Sequence, residues 1–371
     1  MKLSLDTINT LMSDRAVRGL SITRELQPLG GEGDFVAPPT FAQDKGEEKG
    51  PRYVRSTRRV DDRMVDVFLL DSPASQANRM EQSVLSLVDD DLLSLPLYRL
   101  DVPGLGVLTD LELPHRVFDA AIGTSMMKGT TYKWKDSDNA KEIRSANKKD
   151  ATALLRHSPM LLVMGGWDSH SGTAANAWGG RYEKAAWSKV VAVDAHTMAN
   201  PGGRLDPMGL PSSEKVDLGS GSKKLVDQGL GVVPASMGKH PHLRVSMAMA
   251  EQRSVISFGV FRTLSFGTPQ QDLAARVYLA TLSLLCLTAM HRDGGHLRSE
   301  CDLVCANAPG WQIRTDHGAD QLLAGVNVDT VLDLVNDAAI ALAGTGITLR
   351  DGDIELDVHP AIAAALCRDE A

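Results

Sequence analysis

The stretch Leu69–Glu81 (LLDSPASQANRME) constrains the fold more than any other part of the sequence. An apolar run, 65–70, ends abruptly at a turn formed by Asp71, Ser72 and Pro73. A short run of β-branched and aromatic residues that stops at turn residues predicts a buried strand. Ser72 suits the N-cap of a following helix and Pro73 its first position, because proline lacks an N–H that would be unpaired there. The sequence therefore predicts a strand that leads directly into a helix.

The predicted helix, 73–88, has an apolar face and a polar face. Helical spacing places five apolar side chains together: Ala77, Met80, Val84, Leu87 and Val88. Ser75, Arg79 and Gln82 fall on the opposite face, with Gln76 at its edge. Free N–H groups, a hydroxyl, an amide and a guanidinium at a helix N-terminus can receive a phosphate or a carboxylate. An ordinary amphipathic helix with a solvated polar side has the same pattern.

The composition is that of a globular protein without a disulfide framework. Of the 371 residues, 43% are apolar and 23% are charged. A formal charge of -8 argues against a protein that coats nucleic acid indiscriminately, but it is compatible with a local basic track. The four cysteines match no zinc-site spacing, and no stretch has roughly 18 uninterrupted apolar residues. Because the N-terminus also lacks a signal-peptide pattern, we expect a cytoplasmic protein. We expect no cofactor, since the sequence has no phosphate loop and no complete dinucleotide-binding motif.

The alternation of predicted helices and strands indicates an α+β fold. Helices are predicted at 4–18, 114–122, 269–292, 330–342 and from 360 onward. Strands are predicted at 20–26, 97–102, 105–111, 158–166, 190–193, 244–250, 255–264 and 354–358. A hairpin is predicted from 299–306 and 311–315.

Three stretches lack the apolar content of a core. We interpret them as insertions into a single domain spanning residues 1–371, and they are about 28–52, 123–150 and 200–243. The second insertion mixes lysines with aromatic residues, and that mixture suits a single nucleic-acid strand because cations meet phosphates while rings stack on bases. A mobile, solvated loop is the alternative interpretation.

The densest arginine cluster of the chain lies just before the predicted strand 65–70. It consists of Arg52, Arg55, Arg58 and Arg59. Such a cluster can contact phosphates, but a solvated edge strand, in which charge prevents aggregation, has the same pattern.

Short motifs of common enzyme classes are absent from the sequence. Asp168, Ser169 and His170 are adjacent, but consecutive side chains on a strand point to opposite faces, which argues against a catalytic triad. Asp71 and Asp168 are candidates for holding a divalent metal in RNA cleavage. At the end of the helix 269–292, His291 and His296 are predicted to cap the helix rather than to bind a metal.

Three stretches together resemble a known protein family. They are LQPLGGEGDFVAPPTF (26–41), LLDSPASQANRMEQSVL (69–85) preceded by Arg58-Arg59, and MGGWDSHSGTAANAWGGRYEKAAWSKVVAVDA (164–195). From about residue 20 to about residue 266, the chain resembles the RAMP-superfamily backbone subunit of type I CRISPR surveillance (Cascade) complexes, and more narrowly that of subtype I-G, formerly I-U. The 71–81 motif is the most specific part of the resemblance. The C-terminal third matches no motif of the family.

The resemblance implies an RRM-like (ferredoxin-like) palm with large inserted finger and thumb loops and added helices. It implies a non-catalytic subunit, copies of which form a helical filament along CRISPR RNA together with other Cascade subunits. The guide then pairs with target DNA, and no membrane is involved. A metal-dependent endoribonuclease of the same superfamily is the alternative function. A packing protein whose polar helix binds a protein partner is a third.

The resemblance also assigns residues. It gives phosphate contacts to Ser75, Gln76, Asn78 and Arg79, and a role near the RNA to Trp167 and Ser169. The basic residues Arg55, Arg58, Arg59, Lys128 and Lys133 complete the predicted RNA-binding set. Asp71 and Ser72 are predicted to form the turn and the cap. The aromatic motif of a standard RRM is not recognisable in 257–266, so we do not expect RRM-type base recognition.

Overall fold

The computed structural model describes residues 1–41, 53–168, 180–199, 214–217, 221–224, 243–316, 318 and 320–366. The helices are α1 (Leu5–Ser13), α2 (Pro73–Asp89), α3 (Ala120–Gly123), α4 (Asp138–Ser145), α5 (Thr152–His157), α6 (Pro159–Met164), α7 (Phe258–Arg262), α8 (Pro269–Asp293), α9 (Val328–Ala343) and α10 (Pro360–Leu366). Short 3-10 helices span Asp110–Glu112, Arg116–Phe118 and Trp134–Asp136.

The strands extend from the N-terminal region to the C-terminal region. They are β1 (Val17–Pro28), β2 (Arg55–Val60), β3 (Arg63–Asp71), β4 (Tyr98–Val102), β5 (Gly106–Thr109), β6 (Met126–Met127), β7 (Gly166–Trp167), β8 (Arg181–Tyr182), β9 (Ala186–Ala199), β10 (Lys215–Asp217), β11 (Ser222–Lys224), β12 (Leu243–Ser257), β13 (His296–Arg298), β14 (Cys301–Cys305), β15 (Trp311–Thr315), β16 (Gln321–Leu323) and β17 (Ile354–Asp357).

A main sheet, nine-stranded within the described ranges, organises the molecule. Its strand order is β13-β14-β1-β12-β9-β3-β2, and β15 pairs with both β1 and β16. The pairings are antiparallel. β2 lies at one edge, and β3 beside it leads into α2. The strand and helix predicted from 65–88 are therefore confirmed, and they lie near an edge of the main sheet.

Helices cover one face of this sheet. On β1, the buried side chains Leu20, Ile22 and Leu26 alternate with exposed ones such as Thr23 and Glu25, which is the pattern of a strand with one face in the core. The helix α8 lies against α1, α2 and α9. The main core therefore fills the space between the sheet and these helices.

The central helix of this core is α8. It begins with a capping box, in which Thr268 and Gln271 each bond the other's backbone, and with Pro269 at its first turn. By length and composition alone it is long enough and apolar enough to cross a membrane, but 78% of its most apolar window is buried inside the structure. Such burial is expected of the core helix of a globular protein.

A second sheet has the order β5-β4-β17-β6 and joins distant parts of the chain. β4 and β17 are parallel, and they pair from Ile354↔Tyr98 to Asp357↔Asp101. β6 comes from the predicted second insertion, 123–150, which also contains α4.

Two sequence predictions in the middle of the chain are wrong. Residues 158–166, predicted as a buried strand, form the buried helix α6, because a short apolar run fits either structure and Pro159 at the first turn favours a helix. Residues 114–122, predicted as one helix, form a 3-10 turn followed by the short α3. Arg116 interrupts the helix with a φ of 52°.

Two predictions about strand pairing are also wrong. Residues 244–264 are not two adjacent strands, since β12 continues to Ser257 and the helix α7 follows. The segments 299–306 and 311–315 do not pair with each other. β14 pairs with the 26–28 end of β1 and β15 with its 17–21 end. Local patterns do not contain this information, because the two segments pair end to end along the same edge of β1 instead of with each other.

The α+β class is confirmed, since helices pack on largely antiparallel sheets. The RRM-like palm, the single domain and its insertions stay predictions. Residues 42–52 of the first insertion and most of the third lie outside the described residues.

Candidate nucleic-acid interface

The N-terminus of α2 forms as its sequence predicts. The backbone N–H of Ser75 donates to Ser72 Oγ at 3.1 Å, and Pro73 occupies the first turn. The apolar face of the helix is buried at Ala77, Met80, Val84 and Leu87. Ser72 is therefore the cap, as predicted.

Asp71, predicted to form the turn before α2, is instead the last residue of β3. The pairing of β3 with β9 shifts between Leu69 and Asp71, so Leu70 is an extra residue and Asp71 lies opposite Val190. Such a bulge redirects the side chains that follow it. Asp71 therefore faces the helix-covered side of the sheet, where it is only 1% exposed.

A chain of polar side chains extends from Asp71 across the buried side of the sheet. The Nε2 of Gln76 donates to Asp71 Oδ2 at 2.7 Å, and the Nε2 of Gln252 donates to Gln76 Oε1 at 2.8 Å. The Nη1 of Arg24 then donates to Gln252 Oε1 at 2.8 Å. Because buried polar groups are costly without partners, this chain fixes α2 relative to β1 and β12.

The guanidinium of Arg79 forms hydrogen bonds with acceptors of the protein itself. Its Nε donates to Asp71 Oδ2 at 3.0 Å, and its Nη1 and Nη2 donate to the carbonyls of His296 at 2.9 Å and Leu297 at 2.6 Å. Its side chain is 23% exposed. Arg298 also approaches Asp71, at 3.3 Å from Oδ1. Arg79 therefore connects α2 to β3 and β13, and a phosphate would have to displace one of these acceptors.

Other predicted residues of α2 remain accessible. Asn78 is exposed and has no side-chain partner among the residues that the structure describes, and Ser75 is half-buried. Beyond them, Arg79 and Gln82 border a cleft of about 220 Å³ that reaches Asp293 and His296. Gln76, at 1% exposure, is buried.

The predicted arginines of β2 form ion pairs and lie on both faces of the strand. Arg55 contacts Asp66 at 2.6 Å, and Arg59 contacts Asp62 at 2.7 Å in a pair whose side chains are 71% and 90% exposed. Arg58 points to the other face, where its Nη1 donates to Glu251 at 2.6 Å across β3 and β9.

Glu251 is a buried acceptor for more than one arginine. Burial opposes its ionisation, but hydrogen bonds from Arg58 and Arg253 outweigh burial and lower the pKa of the Glu251 carboxyl. The ion pair of Arg58 with Glu251 lies on the same face of the sheet as a small apolar cluster, which consists of Val65, Val67, Val191 and Val193. Arg58 therefore stabilises the edge of the sheet.

The remaining predicted residues lie elsewhere on the chain. Lys128 contacts Glu355 of the second sheet at 3.0 Å, and this exposed partner raises the pKa of the lysine. Lys133 is exposed and precedes the 3-10 turn 134–136. Trp167 on β7 is 55% exposed. Ser169 lies outside the described residues.

Sequence reasoning missed another buried ion pair of α2. The Nε of Arg116 donates to Glu81 Oε1 at 2.5 Å, and its Nη1 donates to the carbonyl of Gly165 at 2.9 Å. Burial raises the pKa of Glu81, although Arg116 acts in the opposite direction. The helical spacing of the sequence does indicate that Glu81 is buried, because it places Glu81 beside Met80 and Val84 on the buried side.

Among the residues that the structure describes, the two carboxylates of the metal alternative do not belong to a ligand cluster. Within the described ranges, no three His, Cys, Asp or Glu side chains converge as metal ligands would. Both oxygens of Asp71 accept hydrogen bonds from protein donors. Asp168 follows β7, and its backbone N–H donates to the Gly180 carbonyl at 2.7 Å.

The predicted capping by histidines is wrong. The Nε2 of His291 lies 2.9 Å from Ser254 Oγ on β12, and its ring stacks on Trp311. Burial, with the nearby Arg24, lowers the pKa of His291 and keeps it neutral. The Nδ1 of His296 lies 2.6 Å from Asp302 Oδ1.

One solved structure with a similar chain is described as a pre-nicking CRISPR RNA-guided surveillance complex. The likeness has a TM-score of 0.35 and a sequence identity of 10%, and it covers 94% of this chain and 98% of that chain. A TM-score of this size does not establish a shared fold. No curated protein sequence matches the chain.

Residues 20–197 match the model of a family described as CRISPR-associated protein GSU0053. The match extends from β1 almost to the end of β9 and includes the whole of α2 with Asp71, Gln76 and Arg79. It covers a little under half of the 371 residues. This part of the chain is therefore similar to a CRISPR-associated family, as the resemblance of the 71–81 motif predicts.

Proposed function

We propose that this protein is a non-catalytic CRISPR RNA-binding backbone subunit of a type I-G surveillance (Cascade) complex. Copies of it polymerise along the guide RNA and support recognition of target DNA. The observation that carries the proposal is the match of residues 20–197 to a CRISPR-associated family, centred on the strand and helix around residues 69–81. The match includes every residue of the predicted RNA-binding set.

Accessibility divides the predicted set into two groups. The exposed members can contact RNA without rearrangement, and they are Arg55, Arg59, Asn78, Lys128, Lys133 and Trp167. An exposed ion pair such as Arg59 with Asp62 contributes only about 0 to 1 kcal/mol, so a phosphate can replace the carboxylate at little cost. Together these groups offer cations, an amide and a ring for stacking.

The second group acts from inside the protein. Gln76 and Arg79 hold Asp71, and through it they fix the orientation of the α2 N-terminus. In this proposal they position Ser75 and Asn78 rather than meet the phosphates themselves. Contacts of this kind are independent of base identity, as guide binding requires, because sequence is then read by base pairing.

RNA binding is tested on the purified full-length chain. We expect RNA to copurify with it, which raises the absorbance ratio at 260 and 280 nm and makes the complex sensitive to ribonuclease. We also expect labelled single-stranded RNA to bind at low salt, with a log-log salt slope that falls by about 0.7 in the Arg59→Ala variant. Arg292→Ala is the control, because Arg292 is an exposed arginine paired with Asp293 at the end of α8.

The proposal fails if the protein neither carries RNA nor binds it at low salt. Its non-catalytic part has a separate test, in which labelled RNA is incubated with the protein and Mg²⁺. We expect intact RNA. Cleavage that Asp168→Asn abolishes would establish the endoribonuclease alternative instead.

A further inference from the structure

A groove rich in arginine lies away from the residues discussed so far. It forms where the end of α1 and the start of β1 meet α7 and the first turns of α8, and its volume is about 650 Å³. Four arginines line it: Arg15, Arg18, Arg262 and Arg276. Asp272 is the acidic residue in its lining. We call it the arginine groove.

Arg262 forms the floor of the arginine groove. Its guanidinium donates to the carbonyls of Leu11, Met12, Asp14 and Val17 at 2.6 to 3.3 Å. Carbonyls at a helix C-terminus lack partners within the helix, so Arg262 satisfies the end of α1. All of its donor nitrogens are used in this way. Arg262 therefore shapes the groove, and most of its roughly five N–H groups are already used by these carbonyls.

The other three arginines keep donors available. Arg18 uses Nε and Nη2 on Asp316, and Arg276 uses Nε and Nη2 on the Leu264 carbonyl and Asp272, so the Nη1 of each has no partner among the described residues. Arg15 is exposed, and its guanidinium contacts no acceptor in the described part of the chain. Roughly nine N–H groups thus remain for an anion, about five on Arg15 and two on the Nη1 of each of the other two, since each guanidinium carries about five.

The arginines also repel one another. Burial lowers the pKa of Arg262, and the positive charges of Arg18, Arg15 and Arg276 lower it further, while Asp14 acts in the opposite direction. These four cations lie together in a protein whose formal net charge is -8. A bound anion would relieve the repulsion.

We infer that the arginine groove binds phosphate groups along the backbone of a nucleic-acid strand. Guanidinium groups match phosphate oxygens in geometry, and the groove has room for more than one phosphate because it is far larger than a single oxyanion. The phosphates of one strand can be shared among Arg15, Arg18 and Arg276, because all three line the same groove. The inference rests on the proposed function and adds a second contact surface to it.

The test measures binding of labelled single-stranded RNA by the full chain and by three variants. Arg15→Ala should raise the Kd by about three- to tenfold at low salt and reduce the log-log salt slope by about 0.7, the effect of one lost phosphate contact. Arg15→Lys should keep the slope and lose part of the affinity, because lysine retains the charge but lacks the planar set of N–H donors of a guanidinium. Arg292→Ala, on the same helix as Arg276 but at its far end, should change neither.

Arg15 makes no side-chain hydrogen bond or ion pair with any residue that the structure describes, so an unchanged urea midpoint should accompany these effects. If wild-type protein binds no RNA, the proposed function fails and this inference with it. If wild-type protein binds RNA and Arg15→Ala matches it in Kd and slope, only the inference is overturned.

Two competitors identify the anion. The first competitor is polyglutamate. If it displaces labelled RNA at a lower concentration than unlabelled RNA of equal charge does, and if Arg15→Ala abolishes this advantage, the groove binds an acidic protein and the inference is overturned. Inorganic phosphate should compete no better than chloride at equal ionic strength. If phosphate displaces RNA more strongly than chloride does, and only when Arg15 is present, the groove binds a free phosphate compound. That result also overturns the assignment of the groove to a nucleic-acid strand.

Discussion

Arg79 joins three parts of the protein through one guanidinium. Asp71 lies at the end of β3, while the carbonyls of His296 and Leu297 belong to β13, more than two hundred residues further along the chain. The same chemistry that suits a phosphate, a planar fork of donors, here satisfies a buried carboxylate and two carbonyls. At the scale of single residues, the stabilising contacts of Arg79 and the proposed RNA contact of Asn78 therefore belong to neighbouring positions of one helix.

Arg79→Ala is expected to destabilise the protein by about 1 to 3 kcal/mol, because Asp71 keeps Gln76 and Arg298 but loses one charged partner. Asn78→Ala, one residue earlier on the exposed side, should change the unfolding free energy by no more than about 0.5 kcal/mol. Urea unfolding of both variants measures the difference.

RNA binding by the same two variants separates positioning from contact. If Arg79 acts by positioning, Arg79→Ala keeps the salt slope of the wild type. A slope that falls by about 0.7 would show that Arg79 meets a phosphate directly. Equal stability of the two variants would contradict the structural role.

Residue-level prediction from the sequence succeeds where the interactions are local. Ser72 and Pro73 act on the next few backbone groups, so their types alone indicate the helix start. Asp71 is different, because its burial depends on the bulge in β3, and two of its network partners, Gln252 and Arg298, are far away in sequence. No local pattern contains these contacts.

At the scale of elements, the end of α6 shows how backbone geometry positions the segment after it. Gly165 has φ 78° and ψ 168°, a conformation that is nearly restricted to glycine. A Cβ at this position would lie 2.9 Å from the Tyr182 carbonyl oxygen and 3.0 Å from the backbone nitrogen of Lys184. The Gly165 carbonyl in turn accepts a hydrogen bond from Arg116. The turn from α6 into β7, which carries Trp167, therefore requires a glycine at position 165.

Gly165→Ala is expected to lower the unfolding free energy by about 1 to 3 kcal/mol, because alanine is strained in this conformation and its Cβ meets backbone atoms. Gly123→Ala is the matched control, since Gly123 lies in α3 and a methyl group added there would enter open space. That variant should be neutral or slightly more stable, as alanine restricts the unfolded chain. Thermal or urea unfolding of the pair decides the matter, and equal losses would contradict the argument.

Long elements are predictable from this sequence, whereas short buried ones are not. The capping signals and length of α2, α8 and α9 identify them. Residues 158–166 are apolar throughout most of their length, so their periodicity does not distinguish a strand from a buried helix. The partners of β14 and β15 depend on the position of β1, which only the folded chain defines.

For the whole molecule, charge determines how copies can associate. Each chain has a formal charge of -8, so two copies repel each other at low salt unless a ligand brings them together. RNA can bring copies together only if a few cations of each copy attract it more strongly than the negative net charge repels it. Arg59, Lys133 and the arginines of the arginine groove are such cations. The proposed filament therefore requires RNA as its template.

We expect the chain without RNA to be monomeric at low salt, and the number of copies per complex to increase with RNA length. Mass photometry on a short RNA and on RNAs two and three times as long measures this number, and ribonuclease should return the complexes to monomers. High salt should have the same effect as ribonuclease, because it weakens the phosphate contacts on which assembly depends. Assemblies of constant size that survive ribonuclease would instead indicate an interface between proteins, as expected of a packing protein whose polar helix binds a partner.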